Sequence, residues 1–151
     1  MDDHKAYFSY SAIEDELDSL KHQLDHEDYQ PDAVISINRG GNLVGMEMSH
    51  HYNVPLGIID IDHYSDQEQQ EQVSIGESML EKVEGDVLLV DDIADTGKTL
   101  KEAEKLLEDK ERIDSIRSAT LHCKTDTHHQ PDLYSTAIEP DTWVVYPWEP
   151  Q

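Results

Sequence analysis

The segment Val87-Leu-Leu-Val-Asp-Asp-Ile-Ala-Asp-Thr-Gly-Lys-Thr99 constrains this chain more than any other feature. An apolar run with the look of a strand in the centre of a parallel sheet ends on two acids. A turn carrying Thr-Gly-Lys-Thr follows, and Leu100, Ala103, Leu106 and Leu107 then recur at helical spacing. Strand, turn and helix in that order present the unpaired N–H groups of a helix N-terminus, with the positive end of its dipole, to a ligand. Gly97 permits close approach of an oxygen to the backbone, and Thr96 and Thr99 add hydroxyls. The arrangement suits a phosphate. The acidic pair Asp91-Asp92 repels phosphate and suits ribose hydroxyls or magnesium, a hard cation that takes oxygen ligands.

Gly97-Lys98-Thr99 resembles the end of a Walker A loop, but that motif requires a glycine where this chain has Asp92. A carboxylate in a loop that should wrap a nucleotide phosphate is repulsive, which argues against a P-loop NTPase. An ordinary strand-to-helix turn with a capping threonine explains the hydroxyls. It leaves Asp91, Asp92 and Asp95 without a purpose.

The remainder of the chain repeats the same alternation. Ser11-Ala-Ile-Glu14 has capping-box spacing, and Ile13, Leu17, Leu20 and Leu24 predict an amphipathic first helix. Ala33 to Ile37 reads as a buried strand broken by Asn38-Arg-Gly-Gly41, with a helix from Leu43 to about His51 and a strand from Leu56 to Ile61. The polar stretch 62–80 lacks clear periodicity and is expected to be a functional flap or a disordered loop. Strands follow at Asp86 to Val90 and at about Ser115 to Leu121, with two short pieces at Ala137-Ile138 and Trp143 to Tyr146. The order predicts one α/β domain over residues 1–151, a central parallel sheet flanked by helices, with its ligand site at the carboxyl ends of the strands.

With 34 acidic residues against 11 lysines and arginines, the formal net charge is −23. Such a surface repels phosphate backbones and anionic lipid, which argues against nucleic acid and membrane as partners. Apolar periodicity persists along most of the length, so disorder does not explain the acidity. Adaptation to very high salt does, because screening removes the mutual repulsion of the carboxylates. The first residues show no basic region ahead of an apolar run, and no apolar stretch reaches the roughly 20 residues that span a bilayer. The single Cys123 cannot form an internal disulfide, which fits the cytoplasm. The nine histidines show no zinc-like spacing and are expected on the surface or in loops.

Taken whole, the segment from Val87 to Thr99 resembles the phosphoribosyl pyrophosphate signature of type I phosphoribosyltransferases: apolar strand, two acids, a three-residue spacer, Thr-Gly-x-Thr. Ile35-Ser-Ile-Asn-Arg-Gly-Gly41 and Asp141-Thr-Trp-Val-Val-Tyr-Pro-Trp148 are similar to the first loop and the C-terminal motif of the xanthine-guanine branch. The resemblance spans nearly the whole chain. It implies the type I fold with a flexible hood loop and a short C-terminal base-binding segment. It also implies a magnesium-dependent transfer of phosphoribosyl to a 6-oxopurine, and a homo-oligomer.

Roles follow from that resemblance. Arg39 and Gly40 would bind pyrophosphate, and a cis peptide is expected between them. Asp92 would serve magnesium, Asp91 the ribose hydroxyls, and Asp95 the proton on the imidazole of the base. Thr96, Gly97, Lys98 and Thr99 would hold the 5′-phosphate; Lys124 would donate to the 6-oxo group. Trp143 would stack on the base, and Val144 would meet its position-two substituent through the backbone. In the hood, Tyr64 matches the family while His63 replaces a serine, and Gln70 stands about where the branch has arginine. Lys98 could restore some of that charge. A phosphoribosyltransferase for another base, or a ligand-sensing regulator of the same fold, would share the phosphate signature. The Trp143 motif favours a 6-oxopurine, and a regulator is expected to need a basic surface or an attached DNA-binding domain, neither of which this sequence shows.

Overall fold

The protein is described by a computed structural model covering residues 4–61 and 83–150. The stretch 62–80, with Tyr64 and Gln70, lies outside the described residues. The elements are β1 (His4–Tyr7), α1 (Tyr10–His26), β2 (Ala33–Asn38), α2 (Asn42–Tyr52), β3 (Leu56–Asp60), β4 (Gly85–Ala94), α3 (Lys98–Glu108), β5 (Ile113–Lys124), β6 (Leu133–Ile138) and β7 (Thr142–Val145). Five strands form a sheet in the order β3-β2-β4-β5-β6, every pairing parallel.

Side chains of β4 alternate between the two faces, as the pleat requires. Leu88 and Val90 join Ile13, Leu17, Leu20 and Leu24 of α1 and Val44 and Met48 of α2 in one core. Val87 and Leu89 join Leu100, Ala103 and Leu107 of α3 in the other. Sheet and helices thus make three layers, and each fully buried aliphatic side chain contributes about 1.5–3 kcal/mol. This two-sided burial explains why β4 reads as a continuous apolar run.

Helix α1 begins earlier than its capping-box spacing implied. Ser9 is the N-cap, its hydroxyl oxygen accepting from the Ala12 N–H at 3.1 Å, while Ser11 and Glu14 lie inside the helix. The chain is fixed just before that cap, where the Phe8 N–H donates to the Val145 carbonyl at 3.0 Å. Strand β1 escaped the sequence reading altogether. It pairs in parallel with β7, setting Lys5 opposite Trp143 and Ala6 opposite Val144.

The connections through α2 and α3 leave β2 and β4 as neighbours whose following loops diverge to opposite sides of the sheet. Crevices at such switch points are where open α/β sheets bind ligands. Strand β4 also runs past Val90, its expected end, to Ala94. Pairing with β2 is recorded through Ser36↔Val90, whereas β5 continues alongside to Ala94↔Cys123. Asp91 and Asp92 therefore occupy a strand that has a neighbour on one side only.

Candidate active site

Two loops meet over the end of β4. The first, Asn38 to Gly41, leaves β2 and turns into α2, with the Gly41 N–H donating to the Ile37 carbonyl at 2.9 Å. Asn42 Nδ2 donates to Asn38 Oδ1 at 2.8 Å and so ties the two ends of the turn. A cis peptide is present, but it joins Asn38 to Arg39, one bond before the expected Arg39–Gly40 position. Gly40 lies directly against the acidic pair: a Cβ at this residue would stand 2.2 Å from Asp92 Oδ2 and 2.6 Å from its Cγ. No side chain fits.

The second loop, Asp95 to Gly97, leads into α3. Gly97 has φ of 92°, which disfavours any other residue. It is also packed under the loop after β5, because an added Cβ would meet the His129 backbone nitrogen at 2.6 Å. Thr96 Oγ1 accepts from the Lys98 N–H at 3.1 Å, and the Thr96 carbonyl accepts from the His128 N–H at 2.9 Å. His129 Nε2 reaches Glu104 Oε1 of α3 at 2.7 Å, fastening that loop to the helix. The loop after β5 thus braces the turn from Asp95 to Gly97. The local sequence carries no signal for this, since the histidines act through a pairing across the fold.

Asp91 is buried, and its Oδ1 accepts from the Asp92 N–H at 2.8 Å. Burial, and then the neighbouring Asp92 charge, holds its carboxyl well above the ordinary carboxylate range. Asp92 Oδ1 accepts from the Ile93 N–H at 2.7 Å. Burial raises this carboxyl too, partly offset by hydrogen bonds from its neighbours. Two acids raised in this way are poised to accept a cation, which would relieve both desolvation and mutual repulsion.

Asp91, Asp92, Asp95, Thr96, Gly97 and Thr99 line one cleft of about 250 Å³. Ile37 and Asn38 complete its β2 side, although neither has a role that the sequence alone suggests. Lys98 and Arg39 are exposed and are not among the lining residues. Lys124 is buried at the end of β5. Its Nζ donates to the Pro140 carbonyl at 3.1 Å and stands 3.9 Å from Asp95 Oδ1. The lysine therefore links the Asp95 turn to the segment that leads into β7. On β7 the Trp143 ring is 63% exposed, open to a stacking partner, while Val144 is buried in the α1 core.

Behind the cleft lies a polar group that sequence reasoning missed. His122, expected with the other histidines on the surface or in loops, is fully buried because β5 is covered by α1 and the C-terminal segment. Its Nδ1 is 2.8 Å from Tyr146 Oη, and that hydroxyl donates to the Asp92 carbonyl at 3.3 Å. The only signal in the sequence is an imidazole inside the run Ala119-Thr-Leu-His-Cys123.

Among the described residues no group of three or more His, Cys, Asp or Glu could hold a metal. The adjacent carboxylates Asp91 and Asp92, which line the cleft, are oxygen donors of the kind magnesium takes. That ion is usually bound through one or two carboxylates, with substrate phosphates and water completing its shell. Among the described residues no helix is long and apolar enough to cross a membrane.

A family model of the phosphoribosyl transferase domain matches residues 4–151. The chain is 32% identical over 121 residues to the xanthine-guanine phosphoribosyltransferase of Cereibacter sphaeroides, an alignment covering 78% of this chain and 68% of that one. Identity to the xanthine-guanine phosphoribosyltransferase of Chromohalobacter salexigens is 27% over 145 residues, covering 93% and 82%. The crystal structure of a purine phosphoribosyltransferase from Pyrococcus horikoshii matches with a TM-score of 0.79 at 27% identity, covering 98% of this chain and 96% of that one.

Proposed function

The chain belongs to the phosphoribosyl transferase family, and from that premise we propose that it transfers 5-phosphoribosyl from phosphoribosyl pyrophosphate to guanine, xanthine or hypoxanthine, releasing pyrophosphate. The observation that carries this reading is the one cleft shared by the acidic pair, Asp95 and the N-terminal turn of α3. Its relatives named for xanthine and guanine support the choice of base.

In the reaction the bond between the anomeric carbon and the pyrophosphate oxygen breaks, and a bond from that carbon to a purine nitrogen forms with inversion. The electron pair of the broken bond leaves with pyrophosphate, and the purine loses its imidazole proton. Asp95 takes that proton, a role for which its exposed carboxylate on the base side of the cleft is suited. Thr96, Gly97, Lys98 and Thr99 hold the 5′-phosphate, using the N-terminus of α3. Arg39 and the Gly40 N–H bind pyrophosphate, the guanidinium by forked hydrogen bonds. Asp91 accepts from the ribose hydroxyls. Asp92 holds magnesium, which when bound neutralises charge on the pyrophosphate. Developing positive charge on the sugar is stabilised by the carboxylates around it.

On the base side Lys124 donates to the 6-oxo group, and its bond to Pro140 keeps the ammonium in reach of the segment carrying Trp143. Trp143 stacks on the purine, and Val144 meets the position-two substituent through its backbone. We assign the protein to the cytoplasm, as a homo-oligomer, and its acidity to life at high salt. The test is product formation from phosphoribosyl pyrophosphate and magnesium with a panel of guanine, xanthine, hypoxanthine, adenine, uracil and orotate, in low and in molar potassium chloride. Turnover of a 6-oxopurine, faster in molar salt, is expected. Turnover confined to adenine, uracil or orotate would refute the choice of base, and no turnover with any base would refute the activity.

A further inference from the structure

The hydroxyl of Tyr146 is buried between two partners, and its one proton can go to only one of them. The Asp92 carbonyl can only accept, so Tyr146 donates there at 3.3 Å. The hydroxyl must then accept from His122 across 2.8 Å, which fixes the imidazole proton on Nδ1. His122 Nε2 is buried without a hydrogen-bond partner and lies 3.7 Å from Glu16 Oε2 of α1. The other Glu16 oxygen accepts from Thr136 Oγ1 at 2.8 Å. A line of polar groups thus runs from α1 through β5 and the C-terminal segment to β4.

Its last link is the informative one. The carbonyl that accepts from Tyr146 belongs to the Asp92–Ile93 peptide, and the N–H of that same peptide donates to Asp92 Oδ1 at 2.7 Å. A donor on the carbonyl polarises the peptide and strengthens its N–H as a donor. It also fixes the peptide plane, and with it the direction from which the N–H grips the carboxylate. The Tyr146 ring itself is held independently of its hydroxyl, stacked on Trp148 with centroids 4.7 Å apart and planes within 5°.

We propose that Tyr146 is a positioning residue, whose hydroxyl, oriented by His122, sets the Asp92–Ile93 peptide and through it the Asp92 carboxylate. The proposal rests on the phosphoribosyl-transfer reading, in which that carboxylate serves magnesium and phosphoribosyl pyrophosphate. Tyr146 lies two residues beyond Val144, so the same contact ties the base-side segment to the acid on the pyrophosphate side.

Tyr146→Phe removes the hydroxyl and keeps the ring; Trp148→Leu loosens the stack and keeps the hydroxyl. The dissociation constant of phosphoribosyl pyrophosphate with magnesium is measured by calorimetry without any base, alongside thermal melts and steady-state kinetics with guanine. For Tyr146→Phe the constant should rise about 3–10-fold, the scale of one lost hydrogen bond, with KM for guanine unchanged. Trp148→Leu should lower the melting temperature and leave the constant within about twofold, a window below the effect of one hydrogen bond. An unchanged constant in Tyr146→Phe, or an equal rise in Trp148→Leu, would overturn the positioning role. Absence of wild-type turnover with any base would instead sink the phosphoribosyl-transfer reading, even where the Tyr146→Phe shift in binding is observed.

Discussion

Gly40→Ala adds one methyl group where the structure has no room for it. The new Cβ would stand 2.2 Å from Asp92 Oδ2, well inside ordinary contact, and the obstructed group is the short side chain of an acid held by the Ile93 N–H. The carboxyl can escape only by turning. Leaving its rotamer costs about 0.5–1.5 kcal/mol, and losing a hydrogen bond to a charged group costs about 1.5–3 kcal/mol. The sum is about 2–4.5 kcal/mol, and at about 1.36 kcal/mol per tenfold in rate it corresponds to roughly 30- to 2000-fold in kcat/KM. The fold should suffer less than catalysis, since the displaced carboxyl can turn into the open cleft. Kinetics with phosphoribosyl pyrophosphate and guanine over a magnesium titration, with melting curves of both proteins, provide the comparison. A Gly40→Ala protein whose kcat/KM stays within about threefold of wild type, against that scale, would show that Asp92 need not be held as the structure holds it.

Three further outcomes follow from the cleft. Asp95→Asn should lower kcat by about 10²–10⁴-fold while calorimetric binding of phosphoribosyl pyrophosphate stays near wild type; an unchanged kcat would remove Asp95 from proton transfer. Trp143→Ala should raise KM for the base by tens of fold, from a stacking contribution of about 1–3 kcal/mol, and leave the melting temperature alone because the ring is 63% exposed. A drop in melting temperature with unchanged KM would make Trp143 a packing residue. Asp91→Asn should raise the melting temperature of the metal-free protein at neutral pH. The folded state holds the Asp91 pKa above its unfolded value, so ionising it destabilises the fold above that pKa, and the penalty fades as pH falls through it. The gain, at about 2–4 °C per kcal/mol for a chain of this size, should therefore shrink on acidification; a gain that is absent at neutral pH, or grows in acid, contradicts the raised pKa.

The parts of the fold that could be read from the sequence are those in which one segment reports on its own surroundings. The α1 stripe of Ile13, Leu17, Leu20 and Leu24 is buried as its spacing predicts. The apolar run of β4 does lie between two helical layers. What failed depended on a distant partner. Strand β1 is four residues without an apolar alternation, and only its pairing with β7 at the other end of the chain makes it a strand. Ser9 is the N-cap, rather than a residue of the better-spaced Ser11 to Glu14 box, because a backbone bond from Phe8 to Val145 fixes where the chain enters the helix. The end of β4 was misplaced for a related reason. Carboxylates look like strand breakers, and nothing local reveals that β2 stops pairing at the point where they begin.

The site divides along the same line. Candidate residues within the β4–α3 signature could be found because one short segment carries them all, and all but the exposed Lys98 line one cleft. The groups that hold them in place come from elsewhere: Gly40 from the β2 loop, His129 from the loop after β5, Tyr146 from the C-terminal segment. Gly40 and Tyr146 lie in motifs that the sequence does show, but their contacts with Asp92, like that of His129 with Glu104, join distant segments and leave no pattern along the chain. Lys124 shows the difference most clearly. As a lone lysine in sequence it has the character of a solvated surface residue, yet it is buried against Pro140 and Asp95. Burying an ammonium is costly without partners, and here a carbonyl and a carboxylate from two different segments supply them. The same two partners join the Asp95 turn to the segment that leads into β7, so a residue that looks ordinary in sequence connects the two elements to which the proposal assigns the base.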